Sequence, residues 1–168
     1  MTQHTIQLDI WAVEDAPLLA EYANNPKIAQ NLTDAFPHPY TLEHAEMYID
    51  RALKNSSAVL RCIRFNDRFV GAIGLHPLMD IFSPSAELGY WVAEPFWHKG
   101  IATSAIQQMV KLGFEQLDIS RIFARPFGSN VGSQRALEEA GFQLEIRLKD
   151  TILKNHRLED ELIYSVRR

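Results

Sequence analysis

Polar and apolar residues alternate at the start of the chain, where "TIQLDIWAV" (5–13) predicts a strand. Residues 14–25 follow as a helix, with Asp15 as N-cap, Pro17 in the first turn and Asn24-Asn25-Pro26 as its end. The two prolines of "AFPHPY" (35–40) force a loop. Thr41 then caps an amphipathic helix to about Lys54, with Leu42, Ala45, Tyr48, Ile49 and Leu53 on one face. Two β-rich runs, 58–65 and 69–76, flank Asn66-Asp67-Arg68 and predict a hairpin. A third β-rich run covers 86–93. Ile101–Leu117 repeats apolar residues at 101, 105, 109 and 112, with a second row at 102, 106, 110 and 113–114, which predicts a long helix. A strand at 120–127 ends near Pro126, and a helix at 130–140 is closed by Gly141. Two strands, 142–150 and 156–168, finish the chain around a turn near Lys154-Asn155.

The order β-α-α-β-β-β-α-β-α-β-β is mixed α/β on one central sheet. It lacks the strict alternation of a doubly wound dinucleotide-binding domain. The 168 residues, 46% of them hydrophobic, suit a single domain spanning 1–168. The formal net charge of -4 supplies no global basic field, so no nucleic-acid partner is expected. Cys62 is the only cysteine, which excludes an intrachain disulfide and fits a reducing compartment. Met1-Thr2-Gln3-His4-Thr5 has neither a basic nor an apolar signal region. No run of about 18 apolar residues is present, so no membrane partner is expected. These features predict a soluble cytoplasmic protein.

The chemistry concentrates at "EPFWHKGIATSA" (94–105), where a bulky stretch gives way to Lys99-Gly100 and a helix begins. A helix N-terminus carries unpaired N–H groups and partial positive charge, which suit an anion. Gly100 allows close approach to the backbone. Ala102, Thr103 and Ser104 leave the first turn unobstructed, and two of them add hydroxyls. By itself the stretch reads equally as an ordinary turn before a helix, and it matches neither G-x-G-x-x-G nor G-x-x-x-x-G-K-[ST].

Its context resembles the GNAT superfamily of N-acetyltransferases, most closely the RimJ/RimL-like branch. The superfamily signature Gln/Arg-x-x-Gly-x-Gly/Ala reads Trp97-His98-Lys99-Gly100-Ile101-Ala102 here. Trp97 replaces Gln or Arg, and His98 stands where a small residue is usual. A second signature, Asn-x-x-Ser-x-Arg-x-Leu-x-x-x-Gly-Phe, is matched by Asn130, Ser133, Arg135, Leu137, Gly141 and Phe142. "PHPYTLEHAEMYI" (37–49) also resembles a segment of the branch. The resemblance spans nearly the whole chain. It implies a mostly antiparallel, splayed sheet of about seven strands flanked by about four helices. It also implies acetyl-coenzyme A as acetyl donor, with no metal. The pyrophosphate would lie on His98, Lys99, Gly100, Ile101, Ala102 and Thr103. The pantetheine arm would run along strand 87–93, past Trp91 and Val92, into a gap before strand 120–125.

Acyl transfer needs a neutral amine, so a general base helps at neutral pH. Glu87 is the candidate base, acting through water; a solvent-facing strand carboxylate would look the same. Asp34, His38 and His76 are alternatives. The departing thiolate needs a proton donor. The tyrosine that many superfamily members place four residues after Ser133 is Leu137 here, and by resemblance Ser133 takes that role. Asn130 caps its helix and is also placed to meet coenzyme A or a water. Lys99 and Arg135 are placed to meet phosphates, and Trp91 and Trp97 read as packing residues.

The acceptor is a primary amine: a peptide N-terminus, polyamine, amino acid or antibiotic. Its pocket would draw on residues 24–40, 76–85 and the C-terminal hairpin, with Asp34 and Glu43 to attract a cation. A homodimer using Ile81 and Phe82 is one option for assembly. The competing function is a GNAT-like module that binds coenzyme A without turnover, motivated by the missing tyrosine and by Trp97.

Overall fold

A computed structural model describes residues 4–168. Met1, Thr2 and Gln3, part of the stretch read as lacking a secretory signal, lie outside the described residues. Among those described, seven strands form one sheet in the order β1-β2-β3-β4-β5-β7-β6. They are β1 (Ile6–Asp9), β2 (Val59–Phe65), β3 (Arg68–Pro77), β4 (Ser85–Val92), β5 (Arg121–Ala124), β6 (Gln143–Lys154) and β7 (Arg157–Arg167). Every neighbouring pair is antiparallel except β4 and β5. The β2–β3 turn uses Asn66 and Asp67, and the β6–β7 turn Asn155 and His156, all at positive φ. Left-handed residues at both central positions match the twist of paired strands. Arg68 therefore belongs to β3, not to the turn.

Among the described residues there are five α-helices: α1 (Ala16–Ala23), α2 (Pro26–Ala29), α3 (Leu42–Lys54), α4 (Ile101–Gln116) and α5 (Val131–Glu139). The short α2 is one more than the sequence predicts. Asn25 caps it, accepting from the Lys27 N–H, and Pro26 starts it. Asp15 also behaves differently from expectation. It sits before α1, yet its carboxylate accepts from the Ala12 N–H and pairs with Arg64 on β2. The predicted face of α3 is narrower than expected: Ala45 and Ile49 are buried, whereas Leu42 and Leu53 are exposed.

The helices build a core on each face of the sheet. Leu19, Tyr22, Ala45 and Ile49 of α1 and α3 pack with Trp11, Phe69 and Ala72. Ile101, Ala105, Ile106 and Met109 of α4 join Ala136 and Leu137 of α5 against Leu75, Leu88 and Ile122 on the opposite face. Gly113 lets α4 approach this closely, since a Cβ there would lie 2.3 Å from Leu75 Cδ1.

Candidate functional site

The sheet opens at its centre. β4 pairs with β5 only at Ser85–Arg121, Ala86–Ile122 and Glu87–Phe123, then runs on alone to Val92. Ala93 N donates to Val70 O on β3 at 2.8 Å. Strand alternation therefore turns the backbone polar groups of Leu88, Tyr90 and Val92 the other way, into the gap. The indole Nε1 of Trp97 donates to the Val92 carbonyl at 2.7 Å. No strand covers the rest of this internal edge among the described residues. An extended ligand can add to such an edge by main-chain hydrogen bonds.

The end of β4 leads to the N-terminus of the 16-residue α4. His98 and Gly100 have φ of 60° and 72°, so the chain turns through two left-handed residues on either side of Lys99. A Cβ on Gly100 would meet nothing within 4 Å, so its backbone faces open space. Ile101 points into the core, while Ala102, Thr103 and Ser104 are half-buried. Both hydroxyls already have partners: Thr103 Oγ1 donates to Glu139 Oε2 at 3.0 Å, and Ser104 Oγ accepts from Gln108 Nε2 at 3.2 Å. The free donors at this helix end are thus the backbone N–H groups and the Ser104 O–H, whose oxygen alone is engaged. Lys99 Nζ lies 5.3 Å from the Phe96 ring centroid, a cation–π distance, and Arg135 is exposed on α5.

The two faces of β4 carry different chemistry. Leu88, Tyr90 and Val92 face the core under α4 and α5, and Glu87, Gly89 and Trp91 face the α1 and α3 side. Gly89 is exposed in mid-sheet with nothing within 4 Å of a Cβ, so this face is open above the gap. Glu87 borders that opening, half-buried, opposite His76 on β3 and Phe123 on β5. Trp91 packs at 6.2 Å from both Phe36 and Phe69. Arg125, just past β5, pairs with the buried carboxylate of Glu161. That hydrogen bond raises the Arg125 pKa above its usual value, and the charges of Glu161 and Glu87 add to the effect against desolvation.

On the other face, Asn130 caps α5 by accepting from the Ser133 N–H at 3.2 Å. Ser133 Oγ lies 2.6 Å from the Tyr90 hydroxyl, which is 3.3 Å from the Ser133 carbonyl oxygen. Burial pushes the Tyr90 phenol up to about 12, with the Ser133 hydrogen bond opposing it. Leu137 is fully buried in the core. Glu87 and Ser133 therefore approach the gap from opposite faces of the sheet. Sequence reading missed Tyr90, Arg125 and Glu161. The alternation of β4 was the available signal for Tyr90, since it shares a face with Leu88 and Val92.

The remaining candidates lie farther out. Asp34 is exposed and pairs with Lys154 Nζ at the end of β6 at 2.6 Å. His38, Glu43 and His76 are exposed, as are Ile81 and Phe82 in the β3–β4 connection. Among the described residues, no group of three or more His, Cys, Asp or Glu is placed to hold a metal ion. No helix there is long and apolar enough to cross a membrane.

Comparison with known proteins adds an independent line. The family model described as "Acetyltransferase (GNAT) domain" matches residues 6–143. The uncharacterized N-acetyltransferase p20 of Bacillus licheniformis is 28% identical over 157 residues, covering 92% of this chain and 88% of that one. The uncharacterized N-acetyltransferase YoaA of Bacillus subtilis is 35% identical over 103 residues, 61% of this chain and 58% of that one. Among solved structures, RimL, a ribosomal-protein α-N-acetyltransferase in complex with coenzyme A, superposes with a TM-score of 0.85 at 19% identity, over 97% of this chain and 94% of that one. Spermidine N-acetyltransferase from Vibrio cholerae, with coenzyme A and spermine, gives 0.80 at 20% identity, over 99% and 96%. At those identities the structural likeness is one of fold.

Proposed function

The chain belongs to the GNAT acetyltransferase family, and from that premise we propose that it moves the acetyl group of acetyl-coenzyme A directly to a primary amine in a ternary complex. It is an acyltransferase with acetyl-coenzyme A as donor substrate. One observation carries the assignment: β4 parts from β5 after Glu87, and its free backbone edge leads to an open helix N-terminus at Gly100. The edge suits a pantetheine arm, and the N–H groups from His98 to Thr103 suit a diphosphate. Lys99 and Arg135 add positive charge at the exposed end, and Asn130 fixes the first turn of α5.

The bound donor supplies an activated acetyl group. Glu87 takes the amine proton through water on the Gly89 face. Ser133 hydrogen-bonds the departing sulfur on the α5 face. Attack and departure then occur on opposite faces of the sheet, which supports direct transfer within one complex. Much of the rate comes from holding both substrates there. The exposed carboxylate of Glu43 favours a cationic acceptor, whether peptide N-terminus, polyamine, amino acid or aminoglycoside, whereas that of Asp34 is already paired with Lys154. A single buried Cys62 suits the cytoplasm, and the exposed Ile81 and Phe82 are available to a homodimer contact.

Titration calorimetry with acetyl-coenzyme A, followed by an acetyl-transfer screen over peptides, polyamines and aminoglycosides, tests the reading. Micromolar binding and transfer to one amine class are expected. Absence of binding overturns it, and binding without transfer across the panel selects a non-catalytic module instead.

A further inference from the structure

Ser133 is a poor acid by itself, and the structure surrounds it with more than a helix cap. Its Oγ has one side-chain partner, the Tyr90 hydroxyl at 2.6 Å, on the β4 segment that borders the gap. Resting on the proposed function, we propose that Tyr90 is a positioning residue whose O–H donates to Ser133 Oγ, leaving the serine hydrogen free to donate to the sulfur that departs from the acetyl group. The two hydroxyls form a short chain, and the chain ends in the gap.

The contacts allow this direction, since either hydroxyl can donate at 2.6 Å. Tyr90 Oη reaches Ser133 Oγ at 2.6 Å and the Ser133 carbonyl oxygen only at 3.3 Å, so of its two acceptors the serine hydroxyl is the nearer. Burial keeps the phenol neutral at any working pH, so it always holds a proton to donate. Donation into Ser133 Oγ polarises that hydroxyl and strengthens its own donation. The electron balance is simple. The new C–N bond forms, the C–S bond breaks, and the pair stays on sulfur, stabilised by the Ser133 hydrogen bond. The amine proton leaves through Glu87 and water, and sulfur takes up a solvent proton on release. No proton needs to leave Tyr90. The ring also packs against the core under α4 and α5, which fixes the hydroxyl in place. A tyrosine on β4 thus reaches the serine from across the gap, at the site where the helix itself offers Leu137.

The test reads the ionisation of bound coenzyme A, which needs no acceptor and no turnover. The full-length protein is saturated with coenzyme A and the thiolate absorbance followed against pH. A free thiol ionises at about 8.5. Cys62, the only cysteine, is pushed by burial up to about 11 and stays silent below that. The wild type is expected to lower the pKa of the bound thiol by about one unit. Tyr90→Phe, which keeps the ring, should return most of that shift with affinity changed less than about twofold. Ser133→Ala should return it too, and the double variant should go no further. An unmoved pKa in Tyr90→Phe overturns the relay while the acetyltransferase reading stands. An affinity loss in Tyr90→Phe without a pKa change makes the tyrosine a packing residue and also overturns it. Failure of the wild type to bind coenzyme A overturns the proposed function and the relay together.

Discussion

The indole nitrogen of Trp97 donates to the carbonyl of Val92 at 2.7 Å, tying the loop before α4 to the last residue of β4. Gln or Arg is usual at this position in the signature that the chain resembles. Here the side chain serves the protein's own backbone. It holds the proposed phosphate cradle in fixed register with the strand that would carry the pantetheine. Trp97→Phe keeps an aromatic but smaller side chain and leaves that carbonyl without its donor. The expected cost is about 1 kcal/mol of stability, read by thermal unfolding, with acetyl-coenzyme A affinity several-fold weaker by calorimetry. Unchanged affinity would separate the anchor from the binding site.

Gly100 has φ of 72° and open space where a Cβ would stand. Gly100→Val places a β-branched residue in the left-handed region, at about 1–3 kcal/mol, and its methyls over the free N–H groups. Acetyl-coenzyme A affinity is expected to fall at least about tenfold in a folded variant. Retained affinity, measured by titration on protein with native circular dichroism, would remove the cradle from the proposal.

Glu87 is half-buried beside the open Gly89 face. Glu87→Gln preserves shape and removes the base. We expect kcat to fall by about 100-fold with acetyl-coenzyme A affinity unchanged. A variant that keeps full kcat would return Glu87 to a structural role and shift attention to His76, its neighbour on β3.

Away from the site, Glu145 on β6 joins Arg121 of β5 and Ser165 and Arg167 of β7. Hydrogen bonds from Arg121 first, then Ser165, pull its carboxyl from 4.5 down to about 2. A lowered folded-state pKa means the unfolded chain binds the proton first. The contribution is therefore complete above pH 4.5 and is lost as pH falls toward 2. In Glu145→Gln, the acid limb of the melting temperature against pH should be shallower across that window. An identical limb in both proteins would show that other carboxylates dominate acid unfolding.

The local features were legible in the sequence because local physics fixes them. The alternation of β1, the two rows of α4, the Asn66-Asp67 turn and the Asn130 cap depend on neighbours within a few residues. Gly100 stood out for the same reason, as a residue before a helix that tolerates positive φ. Boundaries were less legible where tertiary contacts competed. Its neighbours mark Asp15 as a cap, but Arg64 lies 49 positions away in sequence and takes its carboxylate. Leu42 and Leu53 fit a helical stripe, yet the sheet beneath α3 covers only part of it.

By itself the sequence determined the elements, their order and the glycine and serine positions on which acetyl transfer would rest, since propensity, periodicity and capping act over short spans. Only the tertiary structure decided what those residues face. The separation of β4 from β5 depends on strands more than 25 residues apart in the chain. It sets Glu87 on one face of the gap and brings Tyr90 to Ser133 on the other, 43 positions away. It also gives the Val92 carbonyl to Trp97, a pairing that no spacing rule announces.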